Sequence, residues 1–112
     1  MILRIWRTGV DPGRWREYAE FEREHSLPMF RAQPGCRGVL FVRLPQGVGA
    51  AACSFWDDQE SIEALKSSAT YQATVARLLA TGLLTGDQTV EILEVAGGAI
   101  DILKELDEFG GR

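Results

Sequence analysis

The sequence predicts an α+β domain on the ferredoxin-like plan, β-α-β-β-α-β with a four-stranded antiparallel sheet, followed by an extra C-terminal helix. Three observations carry this expectation. Alternating strand patterns stand near both ends, with a Gly/Pro-punctuated hairpin between them. Two stretches of helical periodicity separate the strands. The hairpin's first strand is apolar on both sides, with Val39 and Phe41 on one and Leu40 and Val42 on the other.

Taken in order, Ile2 to Thr8 alternates Leu3 and Ile5 with Arg4 and Trp6, a strand pattern. Asp11-Pro12 then offers an N-cap acceptor and a proline with preset φ, so a helix is expected to start there. At about 100° per residue, Trp15, Tyr18, Phe21, Glu22, His25, Pro28 and Met29 share one face. Pro28 disfavours α geometry at Leu27, which predicts an end or kink at that point. Pro34-Gly35 marks a turn. Gly38 to Leu44 and Gly49 to Trp56 read as a hairpin about Pro45-Gln46-Gly47. The weak strand formers Ala50-Ala51-Ala52 would leave space above the sheet.

Asp57 with Glu60 predicts the next helix start. That helix carries Ile62 and Leu65 until Ser67-Ser68 interrupts it. A further helical stretch places Tyr71, Val75, Leu78 and Leu79 together and stops near Gly82. Thr89 to Val95 reads as the last strand. Beyond Gly97-Gly98, the residues Ala99, Ile102, Leu103, Leu106 and Phe109 follow helical spacing. Residues 1–96 form the expected domain and 97–112 an amphipathic extension. Helices on one face leave a second apolar face of the sheet to bury, and a homodimer packed sheet to sheet would do so.

At 112 residues, with 46% hydrophobic and 25% charged side chains, one soluble domain is expected. The net charge of −4 is dispersed, with no basic stripe for nucleic acid. No apolar run is long enough to cross a bilayer, and no signal-peptide layout opens the chain, so a cytoplasmic location is expected. Cys36 and Cys53 follow no metal-binding spacing and are expected to be reduced, structural thiols; no metal site is expected.

The chain resembles the antibiotic-biosynthesis-monooxygenase family of dimeric α/β barrels. The resemblance rests on Ile2-Leu3-Arg4-Ile5-Trp6-Arg7, then His25-Ser26-Leu27-Pro28 leading to Gln33-Pro34-Gly35-Cys36-Arg37-Gly38. It continues through Phe55-Trp56-Asp57-Asp58 and Ile62-Glu63-Ala64-Leu65 to Thr89-Val90-Glu91-Ile92-Leu93-Glu94-Val95. It implies a dimer with a ligand cavity between sheet and helices. By position, Trp56 matches a tryptophan at the end of the third strand, and Tyr71 matches a cavity tyrosine of oxygenases that tailor aromatic polyketides. The family's haem-degrading branch uses an asparagine, a tryptophan and an axial histidine on its second long helix. This sequence contains no asparagine, and its one histidine, His25, is on the first helix. No cofactor is therefore expected.

The candidate site follows. Glu22 lies three residues before His25 on one helical face, so a carboxylate could orient the imidazole as a general base; otherwise His25 is a helix-end histidine. Tyr71 is a candidate catalytic or cavity phenol. Trp56, Trp6 and Tyr18 are candidates for the wall of a pocket for a flat ligand, or for core. Arg4 and Arg43 are candidate partners of a substrate oxyanion, or solvent-facing strand residues. The expected function is a cofactor-independent monooxygenase acting on a quinol or polycyclic phenol. An isomerase or cyclase, or a non-catalytic ligand-binding dimer on the same fold, is the alternative.

Overall fold

The computed structural model describes residues 1–101. The element order is β1 (Ile2–Val10), α1 (Trp15–Phe21), a π-helical segment (Glu22–Ser26), α2 (Leu27–Arg31), β2 (Cys36–Arg43), β3 (Ala50–Trp56), α3 (Gln59–Ser67), α4 (Ala69–Ala80) and β4 (Leu84–Glu94). The strands form one antiparallel sheet in the order β2-β3-β1-β4, the expected ferredoxin-like arrangement. The helix expected over 97–112 falls mainly outside the described residues.

Several local expectations shift. Asp11 does not cap the first helix: its Oδ1 accepts from the Gly13 N–H at 3.0 Å in a turn, and the helix begins after Arg14. The N-cap of α3 is Asp58 rather than Asp57, and Asp58 Oδ1 accepts from the Ser61 N–H. Ser68 interrupts the helices as expected, its backbone extended and its hydroxyl capping α4. Gly82 stops α4 with φ of +73°, a conformation natural to glycine. The last strand starts five residues earlier than its β-propensity suggests, at Leu84 instead of Thr89. A register shift between Arg7 and Gly9 lets it follow β1 to Leu84. Gly9 permits this approach, since a Cβ there would lie 2.6 Å from the Thr85 carbonyl oxygen.

The largest departure is in the first helix. Pro28 does not end it. The chain stays helical to Arg31 because the preceding turn widens, with the Leu27 N–H donating to the Glu22 carbonyl five residues back. A widened turn relieves the clash a proline ring makes in an α-helix.

Strand alternation sorts the sheet into two faces. Arg4, Trp6, Thr8 and Val10 of β1 share the helix-side face with Ala50, Ala52, Ser54 and Trp56 of β3. Buried side chains form two clusters there. One joins Val10, Tyr18, Phe21, Ala50, Leu78 and Leu83; the other joins Met29, Phe30, Ala52, Trp56, Ile62 and Leu65. Enclosing a residue such as Ile62 or Leu65 contributes roughly 1.5–3 kcal/mol each. The opposite face carries Leu3, Ile5, Leu40, Val42, Cys53, Phe55 and Leu93; Cys53 pairs with both Leu40 and Ile5, and Leu3 with both Phe55 and Leu93. They are half-buried or exposed, Leu93 by 40%. No helix among the described residues is long and apolar enough to cross a membrane.

Candidate active site

Two cross-strand rows make the floor of a cleft between the sheet and the helices. Arg4 pairs with Ser54, and Trp6 pairs with Ala52, which in turn faces Phe41 on β2. Because Ala52 carries a single methyl between two large aromatics, space is left above it. The first helix supplies Tyr18, Ser26, Met29 and Phe30 to one wall, and α4 supplies Tyr71, Thr74, Val75 and Leu78 to the other. The enclosed space is small, about 40 Å³, and the cleft is open to solvent on one side.

Among the described residues, Arg4 is the one charged side chain lining this cleft. It is 6% exposed. Its Nη2 donates to the Tyr71 hydroxyl at 2.9 Å, and its guanidinium carbon lies 5.6 Å from the Tyr71 ring centroid. Among the described residues no carboxylate reaches it within ion-pair distance. A buried cation with a phenol as its partner has lost water without gaining a counter-charge, so the site favours an anion. Tyr71 is held in turn: its N–H donates to Ser68 Oγ at 3.2 Å, and Gln33 Nε2 donates to the same oxygen at 3.2 Å.

The expected Glu22–His25 dyad does not form. Glu22, 2% exposed, accepts two hydrogen bonds from Arg43, at 2.7 and 3.0 Å. Burial pushes its carboxyl above the usual range, and the Arg43 guanidinium opposes this without cancelling it. Arg43 is thereby committed to Glu22 and stacked over Trp15 and Tyr18, 5.0 and 5.6 Å from the ring centroids; it does not line the cleft. His25 is also outside the lining. Its Nδ1 meets Arg77 Nη1 at 3.1 Å, and its ring lies 4.8 Å from that of Phe21.

The π turn explains the exchange. An i→i+5 turn takes about 4.4 residues, so each adds roughly 80° instead of 100°. By Ser26 the helix lags by roughly 90°, which turns His25 off the apolar face and brings Ser26 onto it. Sequence periodicity carries no sign of this, so Ser26 goes unseen. Thr74, one turn after Tyr71, could have been found from helical spacing.

Trp56 is fully enclosed and donates from Nε1 to Ser54 Oγ at 2.8 Å. It backs the cleft through Phe30, with ring centroids 6.4 Å apart, rather than lining it. Trp6 and Tyr18 do line it. Cys36 and Cys53 are free thiols, and burial raises the pKa of both. Among the described residues no cluster of His, Cys, Asp or Glu could hold a metal ion.

The fold and cleft together define a ferredoxin-like α+β domain with a buried cation in an aromatic pocket. The chain belongs to the antibiotic biosynthesis monooxygenase family, whose model matches residues 1–77. Among solved structures it is similar to Rv0793 from Mycobacterium tuberculosis, with TM-score 0.71 and 18% identity over 88% of this chain and 98% of that one. It is similar to the ActVA-Orf6 monooxygenase of Streptomyces coelicolor in complex with nanaomycin D, with TM-score 0.71 and 14% identity over 90% and 92% of the two chains. A mutant form of SnoaB, a cofactor-independent oxygenase from Streptomyces nogalater, matches with TM-score 0.66 and 18% identity over 87% and 94%. No curated protein matches the chain.

Proposed function

We propose that this protein is a cofactor-independent monooxygenase of a small aromatic phenol, quinol or anthrone, working as a homodimer. The observation that carries the reading is the buried Arg4–Tyr71 pair, a cation with no carboxylate partner among the described residues, set in an aromatic cleft. Such a pair stabilises a substrate oxyanion as it forms. Family membership and the likeness to ActVA-Orf6 and SnoaB support the same chemistry.

In this mechanism the substrate loses a proton to water at the open mouth of the cleft, and its oxyanion rests on Arg4. The electron-rich anion passes one electron to O2. The resulting radical and superoxide join through a new C–O bond, and the peroxide takes up a proton. Its O–O bond then breaks with loss of water, leaving a carbonyl. For an anthrone the sum is CH2 plus O2 giving C=O plus H2O, with no external reductant. The apolar walls exclude water from the reacting carbon. The second apolar face of the sheet, from Leu3 to Leu93, supports the homodimer, since joining two such faces removes both from water.

Oxygen uptake against a panel of anthrones and hydroquinones tests the reading. One O2 should be consumed per carbonyl formed, without release of hydrogen peroxide. Absence of enzyme-dependent uptake across the panel, with binding of the same compounds retained, would overturn it.

A further inference from the structure

Tyr18 stands at the opposite end of the cleft from Arg4. It packs with Val10, Ala50 and Leu78, whereas Arg4 lies beside Ser54 and Tyr71. Its side chain is 3% exposed, and Tyr18 lines the cleft. Among the described residues its hydroxyl makes no hydrogen bond, although no fully enclosed side-chain oxygen or nitrogen lacks a partner. The hydroxyl therefore keeps some accessible surface, on a residue that lines the cleft. A ligand that covers this hydroxyl and excludes water must supply a partner, because a buried hydroxyl without one costs on the order of 1–3 kcal/mol.

The partner's chemistry follows from the surroundings. Burial raises the Tyr18 pKa far above that of a free tyrosine, with the Glu22 carboxylate adding and Arg43 opposing, so the phenol keeps its proton. It can donate at neutral pH, and with the Glu22 carboxylate nearby a neutral acceptor suits it better than a second anion. At the other end, Arg4 calls for an anionic oxygen.

We infer that the cleft recognises a flat aromatic ligand at two points, an oxyanion on Arg4 and a carbonyl oxygen accepting from the Tyr18 hydroxyl at the far end. This rests on the proposed reading of the cleft and narrows its substrate class to aromatics with oxygen functions at opposite ends. Simple monophenols fill only one of the two points. Trp6, Phe41 and Met29 supply the apolar surface between them.

The test is binding of a matched pair of probes, 6-acetyl-2-naphthol and 6-ethyl-2-naphthol, followed by naphthol fluorescence with the intact protein. Both carry the phenol for Arg4, and only the first carries a carbonyl at the far end of the rings. The wild type should bind the acetyl compound about five- to tenfold more tightly, the worth of one neutral hydrogen bond. Tyr18→Phe should reduce that ratio to about one while leaving the ethyl compound's affinity within roughly twofold. Arg4→Gln should weaken both probes alike. Equal affinities of the two probes for the wild type would overturn the inference without any variant, as would a ratio unchanged in Tyr18→Phe. Neither result depends on turnover. A failed oxygen assay with the ratio intact would count against the oxygenase reading alone.

Discussion

Arg43 closes both its terminal nitrogens on the Glu22 carboxylate, at 2.7 and 3.0 Å, at the first residue of the π turn. The pair ties the end of β2 to the point where the first helix changes pitch. Glu22 is almost wholly enclosed, whereas Arg43 keeps 40% of its side chain exposed. Removing Arg43 leaves a buried carboxyl without its partner. Arg43→Ala should lower the unfolding free energy by about 2 kcal/mol, less than for a fully enclosed pair because water reaches the guanidinium. Urea denaturation with an unchanged m-value would confirm it.

The same carboxyl predicts a pH dependence. Burial raises the Glu22 pKa in the folded state above its unfolded value, so the folded state binds the proton more tightly. The stabilising contribution is fully present below the unfolded pKa, about 4.3 for glutamate, and is lost as pH rises through the higher folded value. Glu22→Gln should abolish this slope. Denaturation curves of both proteins from pH 4 to 8 should diverge with rising pH, to the disadvantage of the wild type.

Arg4→Gln should reduce kcat/KM for a found substrate by roughly 10²-fold, the usual effect of deleting one oxyanion partner. Arg4→Lys should not rescue it fully, because a point charge cannot reproduce the planar donor set that also meets the Tyr71 ring. Steady-state oxygen uptake measures both.

His25→Ala should stay within about threefold of wild-type activity, since the π turn directs the imidazole to Arg77 and away from the cleft lining. A loss of two orders of magnitude would restore the histidine as base.

Ser54→Ala should cost about 1–3 kcal/mol, because it strands the buried Trp56 indole N–H. Ser54→Thr keeps the oxygen and should cost less. Separately, Leu40→Asp on the outer sheet face should convert the proposed dimer to monomer in light scattering.

The strands, their order and the two-faced sheet were legible because a period of two survives any packing detail; Val39 and Phe41 against Leu40 and Val42 is read directly. The helix break at Ser68 was legible for a similar reason, since a serine cap is local chemistry. The candidate site was legible in part. Arg4, Trp6, Tyr18 and Tyr71 do meet in one cleft, because each lies on an element whose phase the sequence defines. Glu22, His25 and Arg43 were misplaced. Their partners depend on a change of helical pitch around Pro28, and on an arginine 21 residues away in sequence that no local pattern links to the helix. Trp56 reads as wall or core alike until Ser54 is seen to hold its indole.

Ala52 bears no reactive atom, yet it sets how much room there is. The void above the sheet is the imprint of a side chain that β3 does not carry, bordered by Trp6 and Phe41. Ligand size and ligand chemistry are thus governed by different residues. A branched side chain at this one position would shrink the chamber while leaving Arg4, Tyr71 and Tyr18 in place, so relatives could change what they accept without altering what they do to it.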